Sequence, residues 1–164
     1  MSEFEHIYLY TGGLPVQEVA EQIAQAIGGR VTRDGDDVSV SRRMIHLPDG
    51  WVGGQVIRNP DYDGTPHATH PSVSDLYDIT YDVWCTPRPD EFQAREAAAI
   101  FGDIVAQLSY PALLTRSYDW LVAAWAPAIG RTDFPPRTSP DEEDRALWQR
   151  YADPAAITQS AERP

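Results

Sequence analysis

His67 and His70 are the residues of this sequence best suited by type and spacing to binding a metal ion. Three carboxylates lie nearby, those of Asp61, Asp63 and Asp75. Imidazole nitrogens and carboxylate oxygens build many zinc and iron sites, and a closely spaced histidine pair can chelate one ion. The pair lies in residues 59–75, which are rich in Pro, Asp and Ser and lack periodicity, as is typical of a loop. A loop does not preorganise ligands, so a surface loop without metal is the alternative.

Trp84 is the leading candidate for a binding surface, because it lies in a predicted strand on the face opposite Ile79 and Tyr81. Aromatic side chains often anchor partners in protein interfaces. The other candidate binding residues are Trp51, Asp61, Tyr62 and Asp63. In the alternative, both faces of the sheet are covered and Trp84 packs under a C-terminal helix that carries Trp148.

Covalent catalysis has no recognisable motif in this chain. Serine, histidine and aspartate are all present, but nothing matches a nucleophile elbow or a helical zinc motif. The single cysteine, Cys85, lies in a predicted strand, where a small buried apolar role is more typical than a reactive thiol. Residues 61–64 lack the third acidic ligand and the terminal glutamate of a calcium loop. We therefore expect no cofactor and favour a function other than catalysis.

Residues 78–126 contain the elements that must position these side chains. Apolar residues alternate from Ile79 to Cys85, which predicts a half-buried strand. Pro89 suits the first turn of a helix, and apolar residues at helical spacing continue that helix to Leu108. Two strands joined by a short turn should follow at 113–115 and 121–125. The alternative is a helix that begins near Ser117, since good helix formers follow it.

The first half of the chain has a similar order of elements. The predicted elements are strands at 5–11, 30–33, 37–43 (extended by 44–47) and 51–58, and a helix at 16–27. Gly28 and Gly29 are expected to cap the helix. Gly53 and Gly54, inside a predicted strand, indicate either a bulge or a close approach of another backbone.

These patterns predict an α+β fold with a mainly antiparallel sheet and helices packed on it. The sheet is built from two tandem β-α-β-β(β) units, residues 5–58 and 77–126, joined by the loop 59–75. Residues 1–130 form this single domain, and residues 131–164 form a Pro-rich C-terminal arm. Ser139 to Glu142 match a capping box, which predicts a helix at about 140–151, followed by a mobile tail.

This repeated order of strand, helix and strands resembles the vicinal oxygen chelate superfamily, whose members join two β-α-β-β-β modules and often hold a metal in the cleft. The resemblance covers roughly residues 5–126 and concerns topology only. It implies that His6 occupies the ligand position of the first strand. The matching start of the second module, residues 78–81, has no histidine. The resemblance therefore implies a metal-free protein that binds a small molecule in the cleft.

The net charge of the chain limits which kinds of molecule are suitable partners. The net charge is −12 and all thirteen basic residues are arginines. Duplex nucleic acid is an unsuitable partner for an acidic protein, whereas a basic protein would associate faster with it. The alternative is that the acidic surface only keeps the protein soluble. The sequence has no apolar run long enough to span a membrane and starts unlike a signal peptide, so we expect a cytoplasmic protein.

Three hypotheses on function follow from these observations. The first is a protein-binding module, most concretely an immunity-type protein that neutralises a basic toxin domain. The second is a small-molecule binding protein with a cleft between the two halves. The third is a metalloenzyme that uses His67 and His70. A homo-oligomer is compatible with all three.

Overall fold

The computed structural model describes residues 4–63, 72–87 and 89–159 of the 164-residue chain. The strands are β1 (Glu5–Leu9), β2 (Arg30–Asp34), β3 (Asp37–Arg43), β4 (Trp51–Arg58), β5 (Ile79–Thr86), β6 (Ala112–Arg116), β7 (Trp120–Ala126) and β8 (Gly130–Asp133). The α-helices are α1 (Val16–Ile27), α2 (Pro89–Gln107) and α3 (Arg145–Trp148). Short 3₁₀ helices cover Val73–Leu76, Glu142–Asp144, Gln149–Tyr151 and Pro154–Ile157.

All eight strands belong to one sheet with the order β2-β3-β4-β5-β1-β6-β7-β8. Every neighbouring pair in it is antiparallel. The predicted α+β fold with a mainly antiparallel sheet is thus confirmed. The N-terminal strand β1 lies between β5 and β6. Because β1 pairs with the second half of the chain on both sides, the two halves form one continuous sheet.

Helices α1 and α2 pack against each other and cover one face of this sheet. The buried side of α1 carries Val19, Ile23 and Ile27 at helical spacing, as expected for a helix with one apolar stripe. Gly28 ends α1 in a left-handed conformation with φ 69°, which glycine adopts without steric strain. The predicted helix and its glycine cap are therefore confirmed.

The C-terminal segment, which carries Trp148 and Tyr151, covers part of the sheet face that points away from α1 and α2. Trp148 and Tyr151 are fully buried there in an apolar cluster with Tyr8 of β1, Leu113 of β6 and Leu121 of β7. The indole nitrogen Nε1 of Trp148 also donates a hydrogen bond to a backbone oxygen, as a buried indole must. On this half of the sheet the chain therefore forms three layers.

The hairpin of β6 and β7 is confirmed, and the alternative helix beginning near Ser117 is wrong. Ser117 has φ 55° and its N–H donates to the carbonyl oxygen of Phe4. Strand pairing on both sides of β6 thus overrides the helix propensity of the residues after the turn. The register shifts between Leu114 and Thr115, where β6 meets β7.

The predicted extension of β3 through residues 44–47 is wrong. The strand ends at Arg43, and the N–H of Met44 donates to the carbonyl oxygen of Gly50. Gly50 in turn donates to Leu47. These two hydrogen bonds close a loop that reverses the chain into β4, so residues 44–47 have no strand to pair with.

The C-terminal segment differs from the prediction in three ways. The helix expected at about 140–151 is instead a series of short helical turns. The capping box does not form, because the N–H of Ser139 donates to Asp144 rather than being capped by Glu142. The part of the predicted mobile tail that the structure describes is docked, since Pro154 is buried and Ile157 accepts a hydrogen bond from Ala128.

Gly53 in β4 lies where another backbone comes very close. A Cβ atom on Gly53 would overlap the carbonyl oxygen of Val40 in β3. The register between β3 and β4 is continuous from Val38 to Arg43, so the close approach is confirmed and the bulge is not found here.

Candidate binding surface

The face of β3, β4 and β5 that points away from the helices is the candidate binding surface, and we call it the open face. Six of its side chains are half-buried, namely Ser39, Ser41, Trp51, Gln55, Asp82 and Trp84. Arg43, opposite Trp51 in the register, is an exposed member of the same face. The apolar cluster under the C-terminal segment includes no residue of these three strands. Within the described ranges, the C-terminal layer therefore stops at β1.

A histidine–aspartate pair lies at the border between the covered and the open parts of the sheet. Nδ1 of His6 is 2.7 Å from Oδ1 of Asp82, because the two residues are direct partners in the register of β1 and β5. His6 is buried, whereas a quarter of the Asp82 side chain is exposed. The ring of Tyr118 stacks on the imidazole at 4.3 Å between centroids. Asp82 thus holds the imidazole ring at its edge, and Tyr118 packs on its face.

Trp84 lies beside this pair and packs against Phe4. The two ring centroids are 4.6 Å apart, a distance typical of favourable aromatic pairs. Phe4 is 43% exposed, and Trp84 points to the same face as Asp82 because the residues are two apart in one strand. The structure therefore presents two accessible aromatic rings next to a carboxylate.

The predicted covering of Trp84 by the helix with Trp148 is not what the structure shows. Trp148 packs in the cluster on β1, β6 and β7, and Trp84 is not a member of that cluster. The C-terminal segment thus covers the second face of the sheet, but only over β1, β6 and β7. The predicted position of Trp84, opposite Ile79 and Tyr81, is as expected from the two-residue period of a strand.

The environments of Tyr118 and Asp75 are negative, whereas the open face itself carries Arg43 beside Trp51. The pKa of the Tyr118 phenol is raised by its partial burial and by the charges of Asp82 and Asp61. The pKa of Asp75 is raised by partial burial and then by the charge of Asp61. In both groups burial is the largest cause of the raised pKa, and the charges of neighbouring carboxylates add to it.

One buried hydroxyl group near this pair has no partner. Oγ1 of Thr80 is buried without a hydrogen bond among the described residues. Thr80 precedes Asp82 by two positions in β5 and lies opposite Tyr8 of β1. Its hydroxyl group is therefore on the same side of the sheet as the carboxylate of Asp82.

The sequence-predicted binding residues fall at two separate ends of β4. Trp51 begins this strand, and Asp61, Tyr62 and Asp63 follow its end at Arg58. Trp84 is near the Trp51 end, because Trp84 faces Gly53 in the register. Eight strand residues span about 25 Å, so the structure does not bring the five predicted residues into one site.

The predicted metal ligands His67 and His70 lie outside the described residues. Among the residues that are described, no group of histidine, cysteine and acidic side chains is arranged to hold a metal ion. The prediction of a metal site at His67 and His70 therefore stays a prediction.

Cys85 is fully buried in the core under the helices, which confirms its predicted role as a small apolar residue. Burial, followed by the charges of Glu96 and Glu5, raises the pKa of the Cys85 thiol to about 12. A thiol with so high a pKa is almost entirely protonated at neutral pH and is a poor nucleophile.

Sequence reasoning missed the pairing of His6 with Asp82. From the sequence, only the resemblance points to His6, and Asp82 is only a polar residue within the alternating strand. The two residues are 76 positions apart, so only the order of the strands reveals the pair. The alternation in β5 does place Asp82 and Trp84 on one face, which is the one signal available from the sequence.

Comparisons with known proteins give no information on the function of this surface. No helix in the described ranges is both long and apolar enough to cross a membrane. No protein-family model matches the chain, and no similar protein was found among curated proteins or solved structures.

Proposed function

We propose that this chain is a protein-binding module whose open face binds a basic protein. The observation that carries the proposal is the pairing of half-buried Trp84 with exposed Phe4 beside Asp82, on strands that the described C-terminal residues leave uncovered. Interfaces are typically centred on aromatic side chains, with charged groups around them. Trp84 is the anchor in this proposal, and Asp82 is the charged group next to it.

Charge supports the choice of a basic partner. The chain carries 25 acidic and 13 basic residues, and the charges of Asp82 and Asp61 add to the burial that raises the pKa of Tyr118. Complementary charge accelerates association, and the acceleration falls as salt screens the interaction. We therefore expect the dissociation constant to rise with ionic strength.

The most concrete form of this proposal is an immunity-type protein that masks a basic toxin domain in the cytoplasm. A toxin that acts on nucleic acid or another polyanion needs a basic surface. An acidic protein that binds such a surface competes with the substrate for it. The net charge of −12 has the sign that such competition requires.

The test is native mass spectrometry of the untagged protein purified from its own host, at low and high salt. We expect a basic polypeptide to co-purify at low salt and to be lost in the variants Trp84→Ala and Asp82→Ala. The matched control is Trp120→Ala, because Trp120 is a partly exposed tryptophan on β7, away from Trp84, where it lines a separate cavity.

Retention of the polypeptide by Trp84→Ala and Asp82→Ala, with both variants folded, would place the interface elsewhere and refute the proposal. A co-purified partner with an acidic sequence, or a bare monomer at every salt concentration, would refute it as well.

A further inference from the structure

Five side chains form one cluster at the border of the open face, namely Phe4, His6, Asp82, Trp84 and Tyr118. We call this cluster the aromatic corner. The ring centroids of Trp84 and Phe4 are 4.6 Å apart, and that of Phe4 is 6.3 Å from the imidazole of His6. Tyr118 follows at 4.3 Å from the same imidazole. Four neighbouring rings thus share this corner with a single carboxylate.

The protein itself uses only one oxygen of that carboxylate. Oδ1 of Asp82 accepts a hydrogen bond from Nδ1 of His6, whereas Oδ2 has no hydrogen-bond partner among the described residues. A quarter of the side chain is exposed, so Oδ2 is open to an external group. Because an ionised carboxylate accepts hydrogen bonds and donates none, the group that pairs with Oδ2 has to be a donor.

The negative charge of Asp82 is not compensated by an arginine among the described residues. Its bond to His6 needs a proton on Nδ1 only, so a neutral imidazole satisfies it. On the same side of the sheet, Arg30 and Arg43 lie over the ring of Trp51. From the strand spacing and the register, their Cα atoms are each roughly 16 Å from that of Asp82. This exceeds the Debye length of about 8 Å at physiological salt, so the corner attracts cations.

The rings of the aromatic corner are accessible beside this carboxylate. Phe4 is 43% and Tyr118 69% exposed, and Trp84 is half-buried. Trp84 and Asp82 are two residues apart in β5, so they point to the same side with Cα atoms about 7 Å apart. A flat cation that stacks on Trp84 therefore also reaches Oδ2 of Asp82.

This combination of a ring and one free oxygen suits a guanidinium group. Guanidinium is planar and weakly hydrated, stacks on aromatic rings through its face and donates hydrogen bonds in its plane. An ammonium group is compact and strongly hydrated, and it has no flat face to lay on a ring. Arginine is also enriched among the residues that dominate protein interfaces.

We propose that the aromatic corner binds an arginine side chain of the basic partner. The guanidinium group stacks on Trp84 and donates an N–H to Oδ2 of Asp82, while Phe4 and Tyr118 exclude water around it. This inference rests on the function proposed above and names the chemical group that the open face recognises.

NMR titration of the full chain with Nα-acetyl methylamides of arginine, lysine and citrulline, at one ionic strength, tests the choice of group. Citrulline has the shape of arginine without its charge, and lysine has the charge without the planar group. We expect the arginine derivative to shift the indole signal of Trp84 with a dissociation constant of about 1–10 mM. The lysine derivative should bind about fivefold more weakly or worse, and the citrulline derivative should not bind measurably. Binding of either derivative as tightly as that of arginine would overturn the proposal.

Two variants test the residues of the site. Asp82→Asn and Trp84→Leu should each weaken the arginine derivative about fivefold or more, measured through the backbone signals of β5. The matched control is Asp119→Asn, which removes the same charge from an exposed position in the neighbouring turn; it should bind as the wild type does. Circular dichroism checks the folding of each variant. Asp82→Asn keeps an oxygen for His6, so it keeps the proposal testable if Trp84→Leu does not fold.

Unchanged binding by folded Asp82→Asn, or equal weakening by Asp119→Asn, would overturn the proposal. Its failure is also distinct from failure of the proposed function. If a basic polypeptide co-purifies but the arginine derivative does not bind, the aromatic corner is not an arginine site and the protein-binding function stands. If the arginine derivative binds but no basic polypeptide co-purifies, the protein-binding function is refuted, and a partner's arginine is overturned as the source of the guanidinium group.

Discussion

The hydroxyl group of Tyr77 donates a hydrogen bond to the backbone oxygen of Tyr151 across 3.0 Å, and both rings are fully buried. Tyr77 lies two residues before the start of β5, and Tyr151 lies in the C-terminal segment. The hydroxyl group of Tyr151 in turn donates to the carbonyl oxygen of Gly130 at the start of β8. These contacts join the C-terminal segment to the sheet at two places, so this segment is part of the core.

Replacing Trp148 with alanine tests this packing. We expect the free energy of unfolding to fall by about 3–5 kcal/mol, as for other large buried aromatic residues, because Trp148 is fully buried. Leu147→Ala is the control, since Leu147 directly precedes Trp148 and is 45% exposed; its effect should stay within about 0.5 kcal/mol. Urea denaturation measures both. If both substitutions lowered the free energy of unfolding by the same small amount, the C-terminal segment would not contribute to the core.

Gly53→Ala should prevent folding or lower the free energy of unfolding by more than about 4 kcal/mol. The residue has φ 147°, and a Cβ atom would overlap the backbone of Val40. Gly35→Ala is the control, because Gly35 also has a positive φ but has nothing near its Cβ position. That variant should lose only about 1–2 kcal/mol. Thermal unfolding of the two proteins checks this, and similar losses would contradict the close approach.

The thiol of Cys85 should react very slowly with iodoacetamide in the native protein. With its pKa raised to about 12 by burial and by Glu96 and Glu5, about one thiol in ten thousand is ionised near pH 8. In concentrated urea the same thiol should react quickly, because its ordinary pKa returns. Mass spectrometry follows the modification. Equally fast modification in the folded and unfolded chain would contradict the buried position.

Stability should fall steeply at alkaline pH. Burial raises the pKa of Tyr77 and Tyr81 well above the ordinary value. Above about pH 10 the unfolded chain therefore loses phenolic protons that the folded chain keeps, and the free energy of unfolding decreases as pH rises. In Tyr81→Phe one such proton is absent, so the decrease should be smaller by about 1.4 kcal/mol per pH unit. Urea denaturation at several alkaline pH values measures the slope; an unchanged slope would be inconsistent with a buried phenol at this position.

Asp82→Asn should lower the pKa of Tyr118. The pKa of this phenol is raised by its partial burial and by the charges of Asp82 and Asp61, so removal of one charge moves it back toward the ordinary value. Asp119→Asn is the control, because Asp119 is adjacent in sequence but does not contribute to the shift. NMR titration of labelled tyrosine rings, assigned with Tyr118→Phe, gives the pKa. A larger change in the Asp119 variant would show that Asp82 does not face Tyr118.

Local elements of this fold were predictable because strong local signals bound them. The helix α1 matches its predicted range since its apolar spacing begins after Pro15 and ends at Gly28. Strand β4 likewise matches its predicted range, because turn residues precede it and Pro60 follows shortly after its end. In both cases neighbouring residues in the sequence determine where the element starts and stops.

The arrangement of the strands was not predictable in the same way. Nothing in residues 5–9 indicates that β1 lies between β5 and β6, because this depends on competition among distant strands. Strand β8 has four residues without apolar alternation, and it is a strand only because β7 offers an unpaired edge. The pair His6–Asp82 depends on this arrangement, so local sequence patterns do not reveal it.

The central position of β1 has a consequence for how the chain is made. Its two partners, β5 and β6, are synthesised long after it, and His6 meets Asp82 across 76 positions of sequence. Contacts between such distant residues slow folding, because a large loop must close before they form. During synthesis β1 therefore leaves the ribosome with both of its hydrogen-bonding edges unpaired. The sheet is completed only when most of the chain has emerged, and until then the first strand is the segment most exposed to pairing with another molecule.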